Sequence, residues 1–381
     1  MPPSQQNNQQ QQQTMKVSRT ITLFLLVAAL LAPHSEAFTP ETRNLARRAQ
    51  EVWTQLDAIH MPHNHVDLGP TSASTNGVPE IGDLEAAITK LAMLTFLASM
   101  CLCLPLALVP TALLYEGKVI SKTQREEWSL ETGQFIAKWL LTIFPFAHVT
   151  VESEEANNTN KKPEPSIWVC NHTSMLDVFF LLAFDEKLRG KHKRPIKSVY
   201  WKGLDANPIC KVLFQMSGFI PVDMEDNGSG NPNQYNPTSF KRLLKDSKLA
   251  FEEGFDLLVL PEGQLNPWPE EGLLEVFPGA VKLAQISHRP IRMVAMNGLH
   301  NLWHADDSIG MTVTGRDVKM RAYRGPGRIY HKHDDDAEDE FITTMNQVIG
   351  YFGSHGEDVP GLEQWLDGTA FAEQKQRQNR T

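Results

Sequence analysis

The sequence predicts an α/β fold: a mixed, mainly parallel sheet flanked by helices, with an N-terminal membrane-associated helical region. Three observations point there. From His148 to about Tyr330, short apolar runs alternate with helical patterns, as packed layers of sheet and helix require. Two of those runs pass directly into polar turns, at Asn171-His172 and at Pro261-Glu262. Upstream, Leu91 to Leu114 is uncharged and mostly apolar, long enough to cross roughly 30 Å of hydrocarbon.

Residues 1–14 are low-complexity and Gln/Asn-rich, a composition that cannot bury a core. Residues 15–37 have a short basic start (Lys16, Arg19), an apolar run from Ile21 to Ala32 and small residues at Ser35 and Ala37, the pattern of a secretory signal peptide. The junction Ala37-Phe38-Thr39-Pro40 is similar to that of bipartite presequences for secondary red plastids. Arg43, Arg47 and Arg48 follow, as in a transit segment, so residues 38–84 are expected to be transit segment and linker. Plastid membrane is the expected location, with the endoplasmic reticulum as the alternative. The histidines of 60–65 lie in a Pro/Gly/Ser-rich stretch without a scaffold and read as linker rather than metal site.

Residues 85–147 are expected to be membrane-associated helices. Pro105 and Pro110 predict a kink, with a re-entrant hairpin as an alternative to a span. Phe135 to Ala147 is too short to cross and reads either as an interfacial helix or as buried core. Residues 148–330 form the expected α/β domain. Within it, strands are expected at Ser166–Cys170, Lys197–Tyr200, Gly218–Val222, Asp256–Leu260 and Pro290–Ala295. Helices are expected at Met175–Phe184, Pro208–Met216, Ser239–Glu253 and Ala280–Ile286. In 331–381 a helix and a disordered polar tail from Glu373 are expected, and the acidic run Asp334–Glu340 reads as solvated surface.

Composition narrows the function. The chain of 381 residues is 41% hydrophobic and 21% charged, as a globular protein with appendages would be. A formal net charge of −9 argues against nucleic acid as the main partner, because phosphate backbones are bound by basic surfaces. The 4 cysteines show no metal-ligand spacing, so reduced thiols and no metal are expected. Cys170, inside a strand pattern, reads as a buried inert thiol rather than a nucleophile.

The segment Asn171-His172-Thr173-Ser174-Met175-Leu176-Asp177 closes a buried strand and opens a helix. Acylating an alcohol requires removal of its proton as the oxygen attacks a thioester carbonyl, and neutral imidazole suits that task. A carboxylate on the other ring nitrogen would fix the tautomer and stabilise the imidazolium. His172 and Asp177 are the candidate catalytic pair. Two plainer readings stand beside this one. Ser174-x-x-Asp177 is also a capping box, and Asn171-His172-Thr173 is a glycosylation sequon.

His172-x4-Asp177, with Gly218-Phe219-Ile220-Pro221-Val222-Asp223, Pro261-Glu262-Gly263 and Arg289-Pro290-Ile291-Arg292-Met293-Val294 in that order, resembles the lysophosphatidate acyltransferase family of glycerolipid acyltransferases. The resemblance covers roughly residues 135–330. It implies His172 as base and Asp177 as its orienting group, with Glu262 and Gly263 positioning the acceptor. No metal or bound cofactor is implied; the expected partners are a membrane, a lysophospholipid acceptor, and acyl-CoA or acyl-carrier protein as donor. The implied reaction is transfer of an acyl group to lysophosphatidate, forming phosphatidate. Met224, Gln264 and Leu265 depart from positions where the family carries phosphate-binding arginines or a hydroxyl. Lys202, Arg242, Arg289 and Arg292 are the cations open for that role, with Lys202 and Arg292 as the candidate substrate-binding residues. Met224 and Leu265 favour one alternative, acylation of another lysolipid or of glycerol 3-phosphate; a second, a catalytically silent lipid-binding protein, is disfavoured by the presence of His172, Asp177, Glu262 and Gly263 together.

Overall fold

The computed structural model describes residues 82–154, 163–223, 237–307, 312–323, 329–378 and 380. The expected leader, the transit segment, the 60–65 histidines and Met224 lie outside the described residues. Among the described residues seven strands form one sheet: β1 His148–Ser153, β2 Ile167–Cys170, β3 Ile196–Trp201, β4 Ile220–Val222, β5 Asp256–Val259, β6 Ile291–Asn297 and β7 Asp317–Tyr323. Their order is β1-β7-β6-β2-β5-β3-β4. Neighbours are parallel except β6 and β7, so the sheet is mixed and mainly parallel.

β2 lies at the centre, and all four of its residues are buried. Ile167 and Val169 pack into one core and Trp168 and Cys170 into another, one on each face, which explains an apolar run without alternation. Helices α1 Asp83–Glu116, α2 Lys122–Ile143 and α3 Asp177–Arg189 belong to the Trp168 face. On the opposite face lie α5 Pro237–Glu252, α6 Gly279–Ser287 and α8 Ala337–Met345; α4 Pro208–Ser217 follows β3, and α7 Leu299–Leu302 follows β6 and packs Leu299 and Leu302 into the Trp168-side core. Three further helices, α9 Tyr351–His355, α10 Leu362–Leu366 and α11 Thr369–Gln378, complete the C-terminal region.

The apolar stretch is neither broken nor folded into a hairpin: α1 is one helix of 34 residues with Pro105 and Pro110 inside it. Its N-terminal half is docked. Met93, Phe96 and Leu97 are buried, and the Phe96 ring lies 5.3 Å from Phe146 and 5.9 Å from Phe179. Leu106, Val109 and Leu113 in the C-terminal half are exposed. Length and composition make α1 a candidate span. Phe135 to Ala147 is likewise not a separate element. Most of it is the end of α2, which starts with a capping box between Ser121 and Gln124. Ala137 and Leu140 are buried, as the core reading expects, while Trp128 and Phe135 are exposed on the other side.

Buried charge ties these layers together. Glu126 of α2 accepts from Lys197 of β3 at 2.7 Å, and Lys197 also reaches Glu253 at 3.1 Å. Gly218 (φ 67) leaves room for this pair, since a Cβ there would run into the Glu126 carboxylate. Arg189 of α3 bridges Asp185 at 2.5 Å and Asp256 of β5 at 2.7 Å. The tail expected to be disordered from Glu373 is helical through Gln378, and Lys375 pairs with Asp336.

Candidate active site

Parallel strands bring their C-terminal ends to one edge, where open α/β sheets bind ligands. β2 delivers Asn171 and His172 there, β5 delivers Leu260 to Gly263, β3 delivers Lys202, and β6 delivers Asn297 and Gly298. Asn171 closes the β2–β6 pair: its amide oxygen accepts from Met296 N at 2.9 Å and its nitrogen donates to Met296 O at 2.7 Å. With both halves of its amide bonded and 1% exposure, Asn171 cannot serve as a glycan acceptor.

The next residue is the histidine. Its Nδ1 lies 2.9 Å from Asp177 Oδ2, and its side chain keeps 20% exposure while that of Asp177 has none. The same Oδ2 accepts from Thr173 N at 2.7 Å and Ser174 N at 3.1 Å. The pairing is therefore realised but the capping box is not: the helix starts at Asp177 with Leu176 at its N-cap and no side-chain cap, and the amides bonded to Oδ2 belong to the turn before it. A carboxylate accepts only, so the shared proton sits on Nδ1 and Nε2 keeps its lone pair. Ser174 Oγ donates to Trp303 O at 2.8 Å and accepts from Leu176 N, fixing the turn between the two side chains.

Glu262 is not placed as the resemblance implies. It is 1% exposed, and both oxygens are taken by backbone amides, His172 N at 2.8 Å and Leu274 N at 2.9 Å. Burial pushes its carboxyl above the usual range, while the two amides partly oppose that. Glu262 thus holds the histidine's backbone from a buried position, with one amide on each oxygen. Gly263 has φ 67, and its N–H is spent on Leu260 O at 3.0 Å, so its conformation serves the turn rather than a ligand.

The proposed cations separate. Lys202 is at the His172 edge but pairs with Asp223 at 2.9 Å. Arg292 is opposite Trp168 in register and contacts Ser166 Oγ at 3.4 Å, placing it at the start of β2 and not its end. Arg289 pairs with Glu164 at that same far edge. Arg242 pairs with Asp246 one helical turn away. The registers of β2 and β6 therefore put Arg292 at the opposite end of the strands from His172. Cys170 is buried and its thiol is pushed well up, first by desolvation and then by Asp177 and Glu262, so it is a poor nucleophile.

Residues 148–297 match the family model described as Acyltransferase. This segment belongs to that family. It contains the His172–Asp177 pair and Glu262. Among curated proteins it is similar to a 1-acyl-sn-glycerol-3-phosphate acyltransferase of Cocos nucifera, 22% identical over 41% of this chain and 43% of that protein. A chloroplastic 1-acyl-sn-glycerol-3-phosphate acyltransferase of Arabidopsis thaliana is 28% identical over 34% of this chain and 31% of that protein. The matches thus span less than half the length of either relative. Among solved structures, the 1-acyl-sn-glycerophosphate acyltransferase PlsC of Thermotoga maritima superposes with a TM-score of 0.48 at 15% identity, covering 69% of this chain and 96% of that one.

Asn266 and His300 are site residues that sequence reasoning missed. Asn266 N donates to His172 O at 2.7 Å, and its side chain donates to Gly272 O and accepts from Trp268 N. The signal available was a polar residue three positions after Pro-Glu-Gly, too general to act on. His300 lies on a four-residue helix that carries no periodicity.

Proposed function

We propose that this chain transfers an acyl group from a thioester, acyl-CoA or acyl-carrier protein, to the free hydroxyl of lysophosphatidate, forming phosphatidate. The observation that carries the reading is the 2.9 Å contact between His172 Nδ1 and Asp177 at the ligand-binding edge of the sheet. Nε2 removes the proton from the acceptor hydroxyl as its oxygen attacks the thioester carbonyl. Asp177 stabilises the imidazolium that results. When the tetrahedral intermediate collapses, the C–S bond breaks, and the proton passes from Nε2 to the departing thiolate. Glu262 and Asn266 hold the peptide that carries the imidazole.

The acceptor assignment draws on the names of the two plant relatives. A second reading, acylation of another lysolipid or of glycerol 3-phosphate, is favoured by the engaged or distant cations described above. The reaction takes place at a membrane surface in this account, with the exposed end of α1 and the Trp128 and Phe135 face of α2 against the lipid. A plastid membrane is the proposed location, supported by the chloroplastic relative.

The test is incubation of purified protein with labelled acyl-CoA or acyl-carrier protein and a panel of lysolipids, followed by product identification. Phosphatidate formation that His172→Ala abolishes, with folding and membrane association retained, is the expected result. Activity retained by His172→Ala removes the proposed base.

A further inference from the structure

A second histidine–carboxylate pair lies beside the first. Gly298 (φ 88) ends β6 with its Cα against the Asp317 carbonyl, where a Cβ would collide, and this sharp turn folds α7 back towards the site. His300 on α7 is 7% exposed, and its Nε2 lies 3.2 Å from Glu270 Oε1. Its Nδ1 is buried and has no hydrogen-bond partner among the described residues, and Asp177 Oδ1 shares that condition. Glu270 belongs to the 264–274 loop, which is anchored by Asn266 to the His172 carbonyl and by Leu274 to Glu262. Glycines with positive φ, Gly263 (φ 67) and Gly272 (φ 107), sit before the loop and within it. A second contact from the α7 side, His304 Nε2 to Pro267 O at 2.9 Å, braces the loop near its middle. The end of α7 also bonds to the catalytic turn, through Ser174 Oγ to Trp303 O.

The loop therefore reaches His172 on one side and α7 on the other. Burial lowers the His300 pKa, while Glu270 and Asp177 raise it and His304 lowers it. The contact to Glu270 is a 3.2 Å approach of Nε2 to a carboxylate that is itself 59% exposed, so His300 is the buried and Glu270 the solvent-facing member of the pair.

We propose that His300, together with Glu270, is a positioning residue for acyl transfer, holding the 264–274 loop so that Asn266 keeps the His172 backbone in place. The proposal rests on the assignment of His172 as base, and its test separates the two. The full chain is prepared as wild type, His300→Ala, His300→Gln, Glu270→Ala and Glu270→Gln. Hydrogen exchange of the Asn266 amide and steady-state acyl transfer to lysophosphatidate are both measured. Faster exchange at Asn266 is expected in both alanine variants. With it should come a roughly tenfold or greater fall in kcat, with acceptor KM unmoved, since a small displacement of a catalytic group suffices for such losses. The glutamines, which retain a hydrogen-bonding group at each position, should recover most of both effects. Unchanged exchange at Asn266 in His300→Ala overturns the proposal whether or not the chain transfers acyl groups. So does wild-type kcat in that variant, or an effect on KM alone. Wild-type protein that acylates no acceptor defeats the acyl-transfer reading instead, and the exchange data still decide the positioning role.

Discussion

Replacing Asp177 with Asn removes one charge and almost no volume. Oδ2 accepts three N–H groups, from His172 Nδ1, Thr173 and Ser174, and its side chain is fully buried. Hydrogen bonds to a charged acceptor contribute about 1.5–3 kcal/mol each, and neutral ones about 0.5–1.5. Making the two backbone bonds neutral should therefore lower stability by about 2 kcal/mol. The effect on turnover is larger. Without the carboxylate the imidazolium formed during attack loses its counter-charge, and the amide can present an N–H to Nδ1 and reverse the tautomer. General-base catalysis of this kind is worth about 10²–10⁴ in rate, so kcat should fall by at least about a hundredfold. Urea unfolding gives the first quantity, and release of free thiol from acyl-CoA in the presence of lysophosphatidate gives the second. A variant that loses the stability but keeps kcat within a few-fold would show that Asp177 only caps the turn, and the proposed mechanism would fail.

Three other perturbations follow from the same contacts. Glu262→Gln sets an amide nitrogen against a backbone N–H and leaves a buried donor unmet, costing about 1–3 kcal/mol; kcat should drop while acceptor KM stays constant, and the reverse pattern in steady-state kinetics would return Glu262 to the acceptor. Arg189→Met strands Asp256 without its cation and leaves Asp185 to Lys193 alone, and should destabilise by about 3–5 kcal/mol in urea titrations, a loss below about 1 kcal/mol being the contrary result. His300 should make stability pH-dependent: its folded pKa is below the unfolded value of about 6.5, so the unfolded chain binds more protons in that window. Stability should then fall as pH drops from about 6.5 through the lower folded value, and His300→Gln should flatten that segment of a stability–pH profile.

The central strands, the helices between them and the His172–Asp177 turn were legible because burial on both faces leaves uninterrupted apolar runs, and a turn at a strand end exposes polar residues abruptly. β1 and β7 were not named in advance. Their sequences, HVTVES and DVKMRAY, mix charge with short apolar residues, and their pairing depends on partners 169 positions apart, as His148 opposite Asp317 shows. Pro105 and Pro110 misled because α1 continues through both prolines and is docked at its N-terminal half by Phe96. The roles of Glu262 and Arg292 depended on register. Spacing alone could not say that both Glu262 oxygens face backbone amides, or that Arg292 enters the sheet at the edge opposite His172.

The account turns on which ring nitrogen of His172 carries the proton. Nitrogen NMR of histidine-labelled protein near neutral pH, with the His172 signals assigned by their loss in His172→Gln, measures this directly. The prediction is a protonated Nδ1 that responds to Asp177→Asn, together with a bare Nε2. A proton resident on Nε2, with Nδ1 insensitive to Asp177, would contradict the general-base mechanism.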